Sequence, residues 1–126
     1  MTENELSHII IGASIEVHKE LGGPGLLESI YEEALCAELE SRDIPFARQL
    51  EVPIVYKGRT LNKIYRLDLL VADRVIVEVK AVENVAKIFL AQCLTQLRVT
   101  NKKLGLVINF GERYVKDGIH RVVNGL

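Results

Sequence analysis

Two short apolar runs meet across a three-residue break near the middle of the chain, and their alternation leaves room for little except a buried hairpin. The runs are Ile64-Tyr-Arg-Leu-Asp-Leu-Leu-Val71 and Val75-Ile-Val-Glu-Val-Lys-Ala81, and the break is Ala72-Asp73-Arg74. Side chains alternate along a strand. This puts Leu67, Leu69, Val71, Val75, Val77 and Val79 on one aliphatic face and Arg66, Asp68, Leu70, Ile76, Glu78 and Lys80 on the other. With the loop centred on Asp73, Asp68 falls opposite Glu78.

Opposed residues of an antiparallel pair have Cβ atoms about 4.5–5.5 Å apart, and two like charges there destabilise the sheet. Two kinds of compensation are open at this level. A hard cation such as Mg²⁺ accepts carboxylate and backbone carbonyl oxygens and keeps waters that a phosphate can displace. Lys80, one side-chain period beyond Glu78, would then reach a metal-bound water or developing charge on phosphorus. Alternatively, Arg66 and Lys80 neutralise the two acids in a structural ion-pair network.

The chain has 126 residues, the size of one domain spanning 1–126. A formal net charge of −1 supplies no global basic field to attract a polyanion, although a local basic patch remains compatible with it. Cys36 and Cys93 lack metal-site spacing and fall in helical apolar patterns, so buried reduced thiols are expected. No signal-like segment and no membrane-length apolar run are present, so a soluble, cytoplasmic protein is expected.

Leu6, Ile9, Ile10, Ala13, Val17 and Leu21 predict a first helix from about Glu3 to Leu21, ended by Gly22-Gly23-Pro24-Gly25. Leu27, Ile30, Tyr31, Ala34, Leu35 and Leu39 predict a second, from Leu26 to about Glu40. Extended segments at about Gln49–Tyr56, Leu61–Val71 and Val75–Ala81 suggest an antiparallel meander. A third helix is predicted over Asn84–Thr100, then a strand buried on both faces at Leu104–Phe110 and a last short strand near Ile119–Val123.

Two more residues bear on the polar cluster. Glu28 lies in the first turn of the second helix, aligned with Tyr31, Leu35 and Leu39, and points inward or complements the helix dipole, a role for which Glu32 and Glu33 compete. Gln92 interrupts the row Val85, Ile88, Phe89, Gln96, Val99, as a buried amide satisfied by backbone or as a functional group. His8, His18 and His120 share no metal spacing and are expected at the surface or core edge. Lys57, Arg59, Lys63 and Arg66 form one basic cluster, and Arg98, Lys102 and Lys103 another.

The order of helix, three strands carrying Asp68 and Glu78-x-Lys80, helix carrying Gln92, then a buried strand resembles the PD-(D/E)XK nuclease-like superfamily over nearly the whole chain. More narrowly, Gly25-Leu-Leu-Glu28-Ser-Ile-Tyr31 resembles the motif of the GxxExxY family, as do Asp68-Leu-Leu-Val71, Val75-Ile-Val-Glu-Val-Lys80 and Gly105-Leu-Val-Ile-Asn-Phe110. The resemblance implies an α/β (α+β mixed) fold, a restriction-endonuclease-like core with a central mixed sheet flanked by helices and an additional N-terminal helix.

It also implies Mg²⁺- or Mn²⁺-dependent hydrolysis of phosphodiesters in nucleic acid, DNA before RNA, with a homodimer possible for cutting a duplex. Asp68, Glu78, the Val79 carbonyl and Glu28 are the implied metal ligands, Lys80 the residue that orients water, and Gln92 a helical glutamine that holds the site or the nucleic acid. Phe89 stands where relatives tend to carry histidine, and Gln96 where a tyrosine would complete a QxxxY pattern. These departures point to the alternative of a catalytically weak binding or regulatory module acting through a protein partner or homodimer.

Overall fold

The computed structural model describes residues 1–126. Helix α1 (Glu3–Glu20) starts with a capping box, in which the Glu5 N–H donates to Thr2 Oγ1 and the Thr2 N–H to Glu5 Oε1. Its buried stripe Leu6, Ile10, Ala13 and Val17 has the predicted period. Helix α2 (Glu28–Ser41) buries Tyr31, Leu35 and Leu39 beside it. Strands β1 (Phe46–Tyr56), β2 (Arg59–Val71) and β3 (Val75–Lys80) form the expected meander. Helix α3 (Lys87–Thr100) crosses over to β4 (Leu104–Asn109), parallel to β3, and β5 (Ile119–Val123) closes the sheet antiparallel to β4.

The sheet is mixed, in the order β1-β2-β3-β4-β5. The larger core joins α1 and α2 to Leu69, Val71, Val75, Val77, Val79, Leu106 and Ile108. A smaller cluster of Leu67, Leu70, Ile76 and Leu97 lies under α3. Every residue of β4 is buried, as its unbroken apolar run predicts for a strand covered on both faces.

The turns follow from local backbone chemistry. Lys57 and Gly58 both have positive φ between paired Tyr56 and Arg59, the arrangement that joins twisted strands in two residues. Ala72 and Asp73 do likewise between Val71 and Val75, so the second loop centres on Asp73.

One expectation fails in an informative place. Leu67 does not share a face with Leu69 and Val71 but joins Leu70 and Ile76 on the α3 side. The cause is a break in the pleat. On β1, Arg48 pairs with Leu69 and Leu50 with Leu67, while Gln49 between them, across from Asp68, turns to φ +51. A non-glycine residue in this left-handed region costs roughly 1–2 kcal/mol, so it persists only where neighbours hold it. Here the Gln49 Nε2 donates to Glu32 Oε1 at 2.9 Å. The reset also takes Arg66 out of the row of Asp68, and it pairs instead with Glu51 at 3.2 Å.

Candidate active site

The β2–β3 ladder stops at Leu69 and Val77, one step short of the two acids. Beyond it, side chains replace backbone partners. The Val79 N–H donates to Asp68 Oδ2 at 2.9 Å, and the Asp68 N–H reaches Glu78 Oε1 at 3.4 Å. Asp68 and Glu78 thus meet at the seam between two strands, in the register the sequence predicts. Val79, whose N–H faces Asp68, has its carbonyl on the same side of the strand.

Glu78 is 8 % exposed. Burial first, then the charge and hydrogen bond of Asp68, push its pKa up to about 8. Lys80 pulls the other way, but weakly. Neither acid has a salt-bridge partner within the protein: Arg66 is engaged with Glu51, and the Lys80 ammonium rests 4.4 Å from the centre of the Phe89 ring. The ion-pair network that would have made the cluster purely structural is therefore not formed. Two carboxylates brought together without a salt bridge to either suit a hard divalent ion.

Glu28 borders them from α2. Burial, first, and the Asp68 charge raise its pKa while Lys80 lowers it, so its carboxyl feels the cluster although the residue as a whole is exposed. What aims it is Tyr31. That side chain is fully buried, stacked on Phe110 at 4.8 Å between ring centroids, and its hydroxyl donates to Gly23 O and accepts from the Leu26 N–H. Gly25, at φ +116, lets the loop turn into α2. The spacing of Gly25, Glu28 and Tyr31 is thus a loop, a carboxylate and the anchor that fixes both. No trio of acidic, histidine or cysteine side chains converges as a ready-made metal cage; Glu28 stands outside the Asp68–Glu78 pair.

Gln92 is exposed on α3, so the buried-amide alternative does not hold for it. The buried glutamine is Gln96, whose Nε2 donates to the Tyr65 hydroxyl at 2.7 Å. His18 is also deeper than expected, buried with its Nε2 3.0 Å from Phe110 O. Both cysteines are buried free thiols that burial pushes up, Cys36 to about 11 and Cys93 to about 12, so neither is a nucleophile at neutral pH.

Two supports escaped the sequence reading. Glu32, considered there only as a rival to Glu28, is buried and committed to Arg48 at 2.8 Å and to Gln49. Asn109, at the end of β4 and paired with Lys80, is fully buried: its Oδ1 accepts from Val82 and Gly111, and its Nδ2 donates to Val82 O. It clamps the chain leaving β3. Asn109→Ala would leave these buried groups unpaired and is expected to cost about 3 kcal/mol, read as a lowered urea midpoint with an unchanged slope. The signal available was a lone polar residue ending an apolar run.

A sequence model of the PD-(D/E)XK nuclease superfamily matches residues 4–122, nearly the whole fold just described. No curated protein and no solved structure matches the chain. The mixed five-stranded sheet with flanking helices agrees with a restriction-endonuclease-like core.

Proposed function

The chain belongs to the PD-(D/E)XK nuclease superfamily, and from that premise we propose that it is a divalent-metal-dependent nuclease hydrolysing phosphodiester bonds, in DNA rather than RNA. One observation supports the reading: Asp68 and Glu78 meet at a strand seam with no salt bridge to either. Residues 1–126 act as one domain, with α1 as an addition to the nuclease core. The Gly25-x-x-Glu28-x-x-Tyr31 anchoring supports the narrower GxxExxY assignment.

Asp68, Glu78, the Val79 carbonyl and Glu28 would hold Mg²⁺ or Mn²⁺. When bound, such an ion neutralises the paired carboxylates, polarises the phosphate and lowers the pKa of water. Lys80 orients the attacking water and donates to charge gathering on the phosphate oxygens. Phe89 keeps the Lys80 side chain from swinging into solvent. Gln92, one turn along α3 from Phe89 and exposed, is placed to contact the strand being cut. Two buried thiols suit a reducing, cytoplasmic setting, and cutting a duplex would call for two copies related by twofold symmetry.

The test is cleavage of labelled single-stranded, duplex and branched DNA and of RNA with Mg²⁺ or Mn²⁺. Metal-dependent cutting of at least one substrate is expected, strongest on DNA. A protein that binds the metal yet cuts nothing would move the reading to a regulatory module on a nuclease fold. Failure to bind metal at all would return the cluster to a structural role.

A further inference from the structure

A second feature lies beyond the carboxylates, on the loop that leaves β4. A cleft of about 300 Å³ opens between the end of α1 and residues Arg113–Lys116. Ile15 and Val115 supply apolar lining, and Lys19, Arg113 and Lys116 bring three cations. No acid lines it, and none of the three cations is in a salt bridge. Glu16, Glu20, Glu112 and Asp117, the neighbouring acids in sequence, are outside the lining. Tyr114 is 53 % exposed, with Arg113 at 5.3 Å and Lys116 at 6.0 Å from its ring centre.

Both walls are fixed to the framework that holds the candidate active site. The Gly22–Gly23 wall is tied by the Tyr31 hydroxyl to Gly23 O, from the helix that presents Glu28. The other wall follows Phe110, whose N–H donates to Lys80 O at 2.8 Å and whose carbonyl meets His18. Asn109 then holds the Gly111 N–H, and Gly111 packs so tightly on the Val82 backbone that a side chain has no room there. The cleft is thus held by the same segments that hold Lys80 and Glu28.

An exposed aromatic ring flanked by unpaired cations over an apolar floor is how proteins hold single-stranded nucleic acid, base on ring and phosphate on cation. We propose that this cleft binds one nucleotide of a single-stranded segment, the base stacked on Tyr114 and its phosphates held by Lys19, Arg113 and Lys116. The proposal rests on the nuclease reading for its substrate class but not on cleavage. It makes single-stranded or branched DNA, rather than uninterrupted duplex, the preferred ligand.

The test is fluorescence anisotropy of a short labelled single-stranded DNA with the full chain in chelator, where no metal-dependent cutting occurs. Tyr114→Ala is expected to weaken binding about tenfold and Tyr114→Phe to retain it, because the stacking surface is kept. The double variant Arg113→Ala with Lys116→Ala is expected to lower the slope of log affinity against log salt by about 1.4, roughly 0.7 for each cation removed. A merely structural role would not change that slope. Unchanged affinity and slope in these variants, or no binding by the wild type, would overturn the inference, whatever the cleavage assay shows. Wild-type binding lost in Tyr114→Ala, with no cleavage under any metal, would sustain the cleft and sink the nuclease reading instead.

Discussion

Lys80→Ala is expected to lower metal-dependent cleavage by at least about 10²–10³-fold while leaving the protein folded, because it removes the one cation positioned beside the paired carboxylates. Its ammonium lies over Phe89 and the residue is half-buried and free of any salt bridge, so the side chain can donate to a reacting group without first breaking an ion pair. Lys80→Arg is not expected to rescue, since a planar guanidinium on a longer stem cannot place a single donor where the ammonium stood. Single-turnover rates at saturating Mn²⁺, with melting temperature as the control for folding, give the comparison. A folded Lys80→Ala that cuts within threefold of wild type would remove Lys80 from the chemistry.

Glu78 carries the second large effect, in stability and in the metal together. Its pKa is raised from the ordinary carboxylate value of 4.5 to about 8, first by burial and then by Asp68. The folded state therefore holds a proton that the unfolded chain has already released. Stability from this group is complete below about pH 4.5 and is lost as pH rises through about 8.

The metal-free protein is expected to melt several degrees lower at pH 8.5 than at pH 5. Glu78→Gln, neutral at every pH, is expected to flatten most of that dependence and to melt higher than wild type at pH 8.5. Divalent metal should raise the wild-type melting temperature at neutral pH and displace close to one proton per ion, as titration calorimetry in buffers of different ionisation enthalpy can count. Glu78→Gln should lose that stabilisation. A wild type with a flat profile, or a glutamine variant that keeps its metal response, would show that Glu78 is not the buried acid of the site.

The opposition of Asp68 and Glu78 was legible because the loop residues Ala72-Asp73-Arg74 fix the register and period-two alternation does the rest. The buried β4 and the stripes of α1 and α2 were legible for the same reason, since burial on one or two faces writes itself into apolar spacing. Leu67 was misplaced because alternation assumes an unbroken pleat, and nothing local announces that Gln49 adopts positive φ. That conformation depends on Glu32, which lies 17 positions away in sequence.

Gln92 proved exposed and Gln96 buried for a similar reason. One helical row cannot tell which of two polar members faces a strand, and the partner that decides, Tyr65, is on β2. The motif Gly25-x-x-Glu28-x-x-Tyr31 was visible as a pattern, whereas its physical content, a hydroxyl pinning the loop before the acid, appears only once Tyr31 is seen against Gly23 and Leu26.

The hairpin of β1 and β2 is much longer than the strand it leans on: β2 pairs with β3 only at Leu69–Val71, while from Arg59 to Leu67 its sole neighbouring strand is β1 and α3 touches it only near its root, at Tyr65 and Leu67. Its outer half is a cantilever, with Val55, Tyr56 and Ile64 exposed near the free end. Breathing that starts at the tip meets no buried side chain of β2 until it reaches Leu67, just past the Tyr65 hydroxyl held by Gln96. Asp68 is the next residue. One carboxylate of the pair therefore stands at the root of a lever and the other in the rigid centre of the sheet, so a load applied to the tip is felt at the gap between the two acids before it is felt anywhere in the larger core.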